Sequence, residues 1–205
     1  MNSRIRIAVP KGRLFDKSIE ILKKSGIEFA ERSERKLSVD ATNFPLSMLI
    51  VRAKDVITYV EYKACDIGIV GLDLIKEYEP NLLKLADLGF GKCKMVVAEP
   101  VNKKQYWRPV KRVATKFPHV AETFFAKTGL PVEIINLYGS IELAPLYGLA
   151  DQIVDIVDTG RTLKENNLYV VEEIFSSSAQ LVANPVLYKI NHRSIDEITK
   201  RFTVL

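Results

Sequence analysis

Two carboxylates, Asp155 and Asp158, stand directly ahead of Thr159-Gly160-Arg161-Thr162 in the stretch DIVDTGRTLKENN. Ile153–Val157 reads as a strand, and Leu163-Lys164-Glu165 continues from the turn as a polar, helix-like segment. A glycine in such a turn lets the backbone fold tightly, so that consecutive N–H groups converge on one anion. Thr159 and Thr162 add hydroxyl donors, and a helix start adds its positive end. Each hydrogen bond to a charged group contributes about 1.5–3 kcal/mol, so a few of them hold a phosphate monoester. Acids repel phosphate, so Asp155 and Asp158 need a different part of the same ligand. Hydroxyls suit them as acceptors, and a magnesium ion suits them as oxygen ligands. A ribose 5-phosphate unit satisfies both halves. A plain strand–turn–helix with a Thr N-cap would account for the turn alone, but not for the two acids before it. Neither GxxxxGK(S/T) nor GxGxxG occurs, which excludes a Walker loop and a Rossmann fingerprint.

Cations at other predicted strand ends extend the pattern. Lys11 and Arg13, in Pro10-Lys11-Gly12-Arg13-Leu14, follow the strand Arg4–Val9. Ligands of open α/β sheets bind at such ends. Cations are disfavoured at a helix start, which argues for phosphate contacts rather than idle solvation. Arg52 closes the strand Leu46–Val51, where a planar guanidinium suits pyrophosphate; a salt bridge to Asp55 explains it equally well. Arg32 and Arg35 lie in the charged run Glu31–Lys36, whose default reading is a solvated face. Asp73 reads as a ligand acceptor or a helix cap. In Gly139-Ser140-Ile141-Glu142-Leu143, Ser140 is a candidate N-cap, which would put Glu142 at N2, serving the helix dipole or touching substrate or metal. His119 and His192 are too scattered to argue a Ser-His-Asp set, and His119 reads as structural. Cys65 and Cys93 form no CxxC pair and read as buried thiols in a reducing compartment.

These residues need a scaffold, and the chain predicts an alternating one. Helices are expected over Leu14–Lys24, Val56–Ala64 (capped by Asp55), after Gly71, and over Val120–Lys127, Ser140–Tyr147 and Ile195–Phe202. Strands are expected at Asp66–Val70, Lys94–Ala98, Arg112–Ala114, Val132–Ile135 and Tyr169–Phe175 as well. That alternation predicts an α/β fold with mostly parallel sheets. Breaks at Gly89-Phe90-Gly91 and Ser176-Ser177-Ser178 suggest that the chain leaves a first lobe and later returns to it. The expected division is 1–90 plus 179–205 for a discontinuous first lobe and 91–178 for the second. The 205 residues carry a net charge of +5, which favours anionic partners. The Lys and Arg residues alternate with acids, and the cluster Lys103-Lys104-Gln105-Tyr106-Trp107-Arg108 is a single short stretch, so no nucleic-acid stripe is read. No apolar run approaches a membrane span and no secretory signal is read, so the expected location is cytoplasmic.

The run YGSIELAPLYGLADQIVDIVDTGRTLKENNL, with VPKGRL, VRAKDVITYVEYKACDIGIVGLDL and RVATKFPHVAETFFAKTGL, resembles the ATP phosphoribosyltransferase family of histidine biosynthesis. The resemblance covers nearly the whole chain and points to the short form, which has no C-terminal regulatory domain. It implies a two-lobed, periplasmic-binding-protein-like α/β fold with the active site in the interlobe cleft. It implies condensation of ATP with phosphoribosyl pyrophosphate (PRPP), with release of pyrophosphate. Thr159, Gly160, Arg161 and Thr162 would cradle the 5-phosphate, with Asp155 and Asp158 on the ribose hydroxyls. Lys11, Arg13, Arg35 and Arg52 would line the path to the pyrophosphate and the ATP phosphates, with Asp73 and Glu142 nearby. Arg52 and Lys11 would be the catalytic cations. Magnesium would ride mainly on the substrate phosphates, with Asp155 or Glu142 as candidate protein ligands. The implied partner is a regulatory subunit related to histidyl-tRNA synthetase, in a hetero-octamer, with a dimer formed in its absence. One departure stands out: Lys63, expected on a helix, occupies a position where the family pattern suggests glycine. The competing readings are another PRPP-dependent phosphoribosyltransferase and a non-catalytic two-lobed protein that binds a small anion.

Overall fold

The computed structural model describes residues 4–30, 36–102 and 109–203. The chain divides into two compact units, residues 1–75, 79–91 and 178–205 forming one, and residues 76–78 and 92–177 the other. In chain order the elements begin with β1 (Ile5–Pro10), α1 (Phe15–Lys24), β2 (Ser38–Asp40), β3 (Leu46–Val51), α2 (Ala53–Glu61), β4 (Ile67–Gly71), α3 (Leu72–Tyr78) and β5 (Leu83–Asp87). The second unit follows with β6 (Cys93–Pro100), β7 (Lys111–Thr115), α4 (Pro118–Thr128), β8 (Val132–Asn136), α5 (Leu143–Leu146), β9 (Gln152–Val157), α6 (Arg161–Glu165) and β10 (Leu168–Ser177). The return to the first unit supplies β11 (Ala179–Ala183) and α7 (Pro185–Thr203).

The first sheet has the order β2-β3-β1-β4-β11-β5 and the second β10-β6-β9-β7-β8. Pairing is parallel for β1 with β3 and β4, and for β7 with β8 and β9; the remaining pairs are antiparallel. By direction, however, β1, β3, β4 and β5 agree in the first sheet, and β7, β8, β9 and β10 agree in the second. The sheets are thus mixed in pairing but mostly parallel in strand direction. The two strands that follow the passages between units, β6 and β11, run against their neighbours.

Strands buried on both faces read as near-continuous apolar runs; β4 does so, and β11 does so apart from the buried Gln180. On one face of the first sheet, Ile5, Ile7, Leu46, Met48, Ile67 and Leu181 join Leu22 of α1 and Ile195, Ile198 and Phe202 of α7. On the other, Ala8, Val70 and Val182 meet Val56, Ile57 and Val60 of α2. Each fully buried aliphatic side chain contributes about 1.5–3 kcal/mol. Gly68 allows α2 to lie close to the sheet, because a Cβ there would come within 2.7 Å of Val56 Cγ1. In the second unit Val96, Ala98, Ala114, Ile153, Leu163 and Leu168 pack with Ile141 and Ala144.

Several local expectations are corrected. Helix α2 starts at Ala53 with Arg52 as its N-cap, so Asp55 lies in the first turn and does not cap it. Helix α5 is confined to Leu143–Leu146 with Glu142 as N-cap, and no side-chain capping bond forms; Ser140 has a left-handed backbone (φ 51°), and only its carbonyl serves the helix start, accepting the Leu143 N–H over 3.2 Å. Strands β2, β5 and β11 were not anticipated. Helix α7 begins ten residues before Ile195, and its backbone breaks at Asn191 (φ −112°, ψ 20°), whose amide donates to Asp66 Oδ1 over 3.2 Å.

Lys63 is not on a helix. It follows the C-cap Tyr62 with φ 64°, and its carbonyl accepts a 3.1 Å bond from Arg6 Nη2. A left-handed backbone costs a residue with a Cβ about 1 kcal/mol that glycine does not incur. Lys63→Gly should therefore raise stability by about 0.5–1 kcal/mol and the thermal midpoint by about 1–4 °C in a calorimetric scan. A lower midpoint would show that the lysine side chain contributes more than its backbone costs.

Candidate active site

The second unit brings the acids and the anion turn to the C-terminal end of its parallel strands. Strand β9 ends at Val157, and Gly160 turns the chain into α6 with φ 76°, a conformation that an L side chain resists. The first helical bond of α6 runs from Lys164 N–H to the Gly160 carbonyl over 3.2 Å. The amides of Thr162 and Leu163 thus precede any intrahelical acceptor. Arg161 N–H reaches Thr159 Oγ1 only at 3.5 Å. With five residues, α6 has too short a dipole to matter much; the amide hydrogens themselves supply the positive character. The Arg161 side chain pairs with Glu165 at 2.8 Å along the exposed helix face. Asp158, Thr159 and Thr162 are exposed.

Asp155 is only 19% exposed at its side chain, and Lys116 Nζ lies 3.2 Å from its Oδ1. The same oxygen accepts the Ile156 N–H over 2.8 Å. Burial pushes the Asp155 carboxyl above the ordinary aspartate range; Lys116 and the Ile156 N–H oppose that rise, and Glu142 adds to it by repulsion. Asp155, Glu142 and Lys116 therefore form one electrostatic group. Lys116 escaped the sequence reading. The available signal was a cation directly after the strand Lys111–Thr115, but its partner is 39 residues away.

In the first unit, Lys11 and Arg52 follow the ends of adjacent parallel strands, since Pro10 pairs with Val51. The Lys11 N–H donates to the Val51 carbonyl over 2.7 Å, which fixes the two cation-bearing segments side by side. Both side chains are exposed, and neither forms an ion pair with a described residue. The salt bridge from Arg52 to Asp55 does not form. Arg13 is engaged: its Nη1 donates to the Gly91 carbonyl over 2.6 Å. Asp73 is buried in the first turn of α3, with its carboxylate folded over Gly71. Arg35, the rest of the run 31–35 and the basic cluster 103–108 lie outside the described residues.

Other polar groups are accounted for structurally. Helix α4 would offer an anion-binding N-terminus, but buried Glu77 occupies it, accepting from His119 N–H at 3.2 Å and Val120 N–H at 3.0 Å. Glu99 is buried against Gln152 and the Tyr169 hydroxyl. Both cysteines are buried and neither is in a disulfide, and burial pushes the Cys65 thiol up to about 11, which leaves it unreactive. Among the described residues no buried side-chain polar atom lacks a partner, and no helix is long and apolar enough to cross a membrane.

Two α/β units, each with a mixed sheet that is mostly parallel in strand direction, define a binding-protein-like fold. The alkanesulfonate-binding protein SsuA from Xanthomonas axonopodis pv. citri shares that fold: its TM-score is 0.59, at 11% identity, covering 98% of this chain and 72% of SsuA. Much nearer is a solved ATP phosphoribosyl transferase (HisG:HisZ) complex from Thermotoga maritima, with a TM-score of 0.85 and 37% identity over 98% of this chain and 96% of that one. The ATP phosphoribosyltransferase of Caldanaerobacter subterraneus subsp. tengcongensis is 47% identical over 196 residues, which is 95% of this chain and 93% of the relative. The sequence pattern of the HisG family, ATP phosphoribosyltransferase, matches residues 52–204. The chain belongs to the ATP phosphoribosyltransferase family.

Proposed function

We propose that this chain is a cytoplasmic enzyme that joins ATP to PRPP, forming N1-(5-phosphoribosyl)-ATP and pyrophosphate in the first step of histidine biosynthesis. The observation that carries the reading is similarity to ATP phosphoribosyltransferases along almost the whole chain, 47% identity over 95% of it in one relative. Adenine N1 already has a lone pair, so no strong base is needed to make the nucleophile. The chemical demands are alignment of two polyanions and stabilisation of pyrophosphate as it leaves a cationic ribose carbon. Alignment can contribute about 7–11 kcal/mol.

In this reading Thr159, Gly160, Arg161 and Thr162 hold the 5-phosphate, chiefly through backbone N–H groups. Asp155 and Asp158 accept from the ribose hydroxyls. Lys11 and Arg52 serve the leaving pyrophosphate, with Arg13, Arg35, Asp73 and Glu142 toward the nucleotide. The exposure of Lys11 and Arg52, and their freedom from described ion pairs, support that assignment. Magnesium would arrive on the substrate phosphates. No group of three or more potential ligands among the described residues would hold it unaided. Asp155 and Glu142 offer the hard oxygen donors that it takes. Once bound, the ion would neutralise phosphate charge. The Thermotoga structure is a HisG:HisZ complex, and we extend that assembly to this chain: a regulatory subunit related to histidyl-tRNA synthetase, in a hetero-octamer, with a dimer in its absence.

The test is pyrophosphate release by the purified chain, alone and with such a partner, in the presence of magnesium. Release should require both ATP and PRPP, and histidine should inhibit the complex. Release that needs a free base instead of ATP would identify a salvage transferase. No release under any of these conditions would leave a binding protein.

A further inference from the structure

The Lys116–Asp155 pair is more than a surface ion pair. Parallel pairing of β7 with β9 sets Thr115 opposite Val154, so Lys116 and Asp155 are the next residues in register. The turn that carries Lys116 is tied to β9: the buried Thr115 hydroxyl donates to the Val154 carbonyl over 2.7 Å, and Phe117 N–H donates to that hydroxyl over 2.9 Å. The ammonium also rests over the Phe117 ring, 5.2 Å from its centroid. Lys116 is thereby held at both its backbone and its tip. At Asp155, Oδ1 takes both the lysine and the Ile156 N–H, while no described residue bonds Oδ2. A carboxylate whose one oxygen is pinned presents the other in a defined direction.

We infer that Lys116 is a positioning residue for the phosphoribosylation reaction: it fixes the Asp155 carboxylate so that Oδ2 faces the ribose hydroxyls, and it does not itself bind substrate phosphate. This rests on the function proposed above. A lysine recruited for phosphate would be exposed and unpaired, as Lys11 is; Lys116 is 36% exposed and already committed to an acid. The arrangement follows a general pattern, in which a functional group is held by a neighbour that never touches the ligand.

Four chains test this: wild type, Lys116→Met, Lys116→Arg and Asp155→Asn, with the Lys116→Met/Asp155→Asn double variant to close the cycle. PRPP and ATP affinities are measured by calorimetry, and thermal midpoints without ligand. Lys116→Met should weaken PRPP binding about tenfold, leave ATP binding within about twofold, and lower the ligand-free midpoint. Lys116→Arg should restore PRPP affinity to within about threefold. In the Asp155→Asn background, Lys116→Met should cost less than about twofold more PRPP affinity, and the midpoint should recover. Unchanged PRPP affinity in Lys116→Met overturns the inference. So do losses that multiply across the double variant, because Lys116 would then act on the substrate without Asp155. A wild type that binds no PRPP refutes the proposed function itself, while the ligand-free midpoints still report whether the two residues are coupled.

Discussion

Arg52→Ala should lower turnover about 100-fold or more while changing PRPP affinity much less. Arg52 ends β3 and caps α2, so its backbone is fixed by a strand on one side and a helix on the other. Its side chain is exposed, and no described group competes for it. A guanidinium in that state has little reason to exist for folding, and its removal should leave the thermal midpoint within about 1 °C, as for most exposed sites. The charge on pyrophosphate grows as its bond to the ribose carbon breaks, so a cation there acts more strongly on the transition state than on bound substrate. Losing one such fixed donor typically costs about 100- to 1000-fold in turnover. Arg52→Lys should recover only part of the loss, because an ammonium lacks the two-pronged fork. Steady-state kinetics beside direct binding measurements decide the matter. A raised Michaelis constant at unchanged turnover would assign Arg52 to ground-state binding.

What the sequence made legible follows the range of the interactions. The strand–turn–helix around Thr159–Thr162 was readable because the strand end, the left-handed glycine and the helix start all lie within eight residues. The strand β3 was placed at its bounds by a mostly apolar run, Leu46–Val51, that ends at a charged residue. Lys116 was missed because its meaning depends on the register of β7 against β9, a pairing across 39 residues that no local pattern announces. Arg13 illustrates the converse. Its place after a strand suggested phosphate, and only the fold reveals the Gly91 carbonyl that it bonds. Strand β11 was overlooked because five buried residues between Ser178 and Asn184 carry no alternation. Helix α5 was drawn too long because apolar spacing in the segment 140–147 mimics a helix, while the left-handed Ser140 prevents an earlier start.

Asp155→Asn should lose activity without losing stability, and this opposition separates a functional carboxylate from a structural one. Charge-assisted hydrogen bonds to the ribose hydroxyls contribute about 1.5–3 kcal/mol, so their loss should lower kcat/KM for PRPP about 10- to 150-fold. For folding the sign is reversed. Burial raises the Asp155 carboxyl above its unfolded range despite Lys116. The folded chain therefore binds that proton more tightly than the unfolded chain does. Its contribution to stability is fully present below the ordinary aspartate value near about 3.9 and is lost as pH rises through the higher folded value. At pH 8 the ionised carboxylate thus weighs against folding, and the neutral amide relieves it. Lys116, left without its acid, is exposed enough for water to take over. Denaturation scans of both chains from pH 4 to 8 should accordingly show the stability of Asp155→Asn relative to wild type rising with pH and levelling off once Asp155 is ionised in both states. A salt bridge serving the fold would give the opposite trend, with the substituted chain falling further behind as pH rises. If Asp155→Asn melts well below wild type at pH 8 and still turns over PRPP, the carboxylate belongs to the scaffold, and the ribose must be held by Asp158.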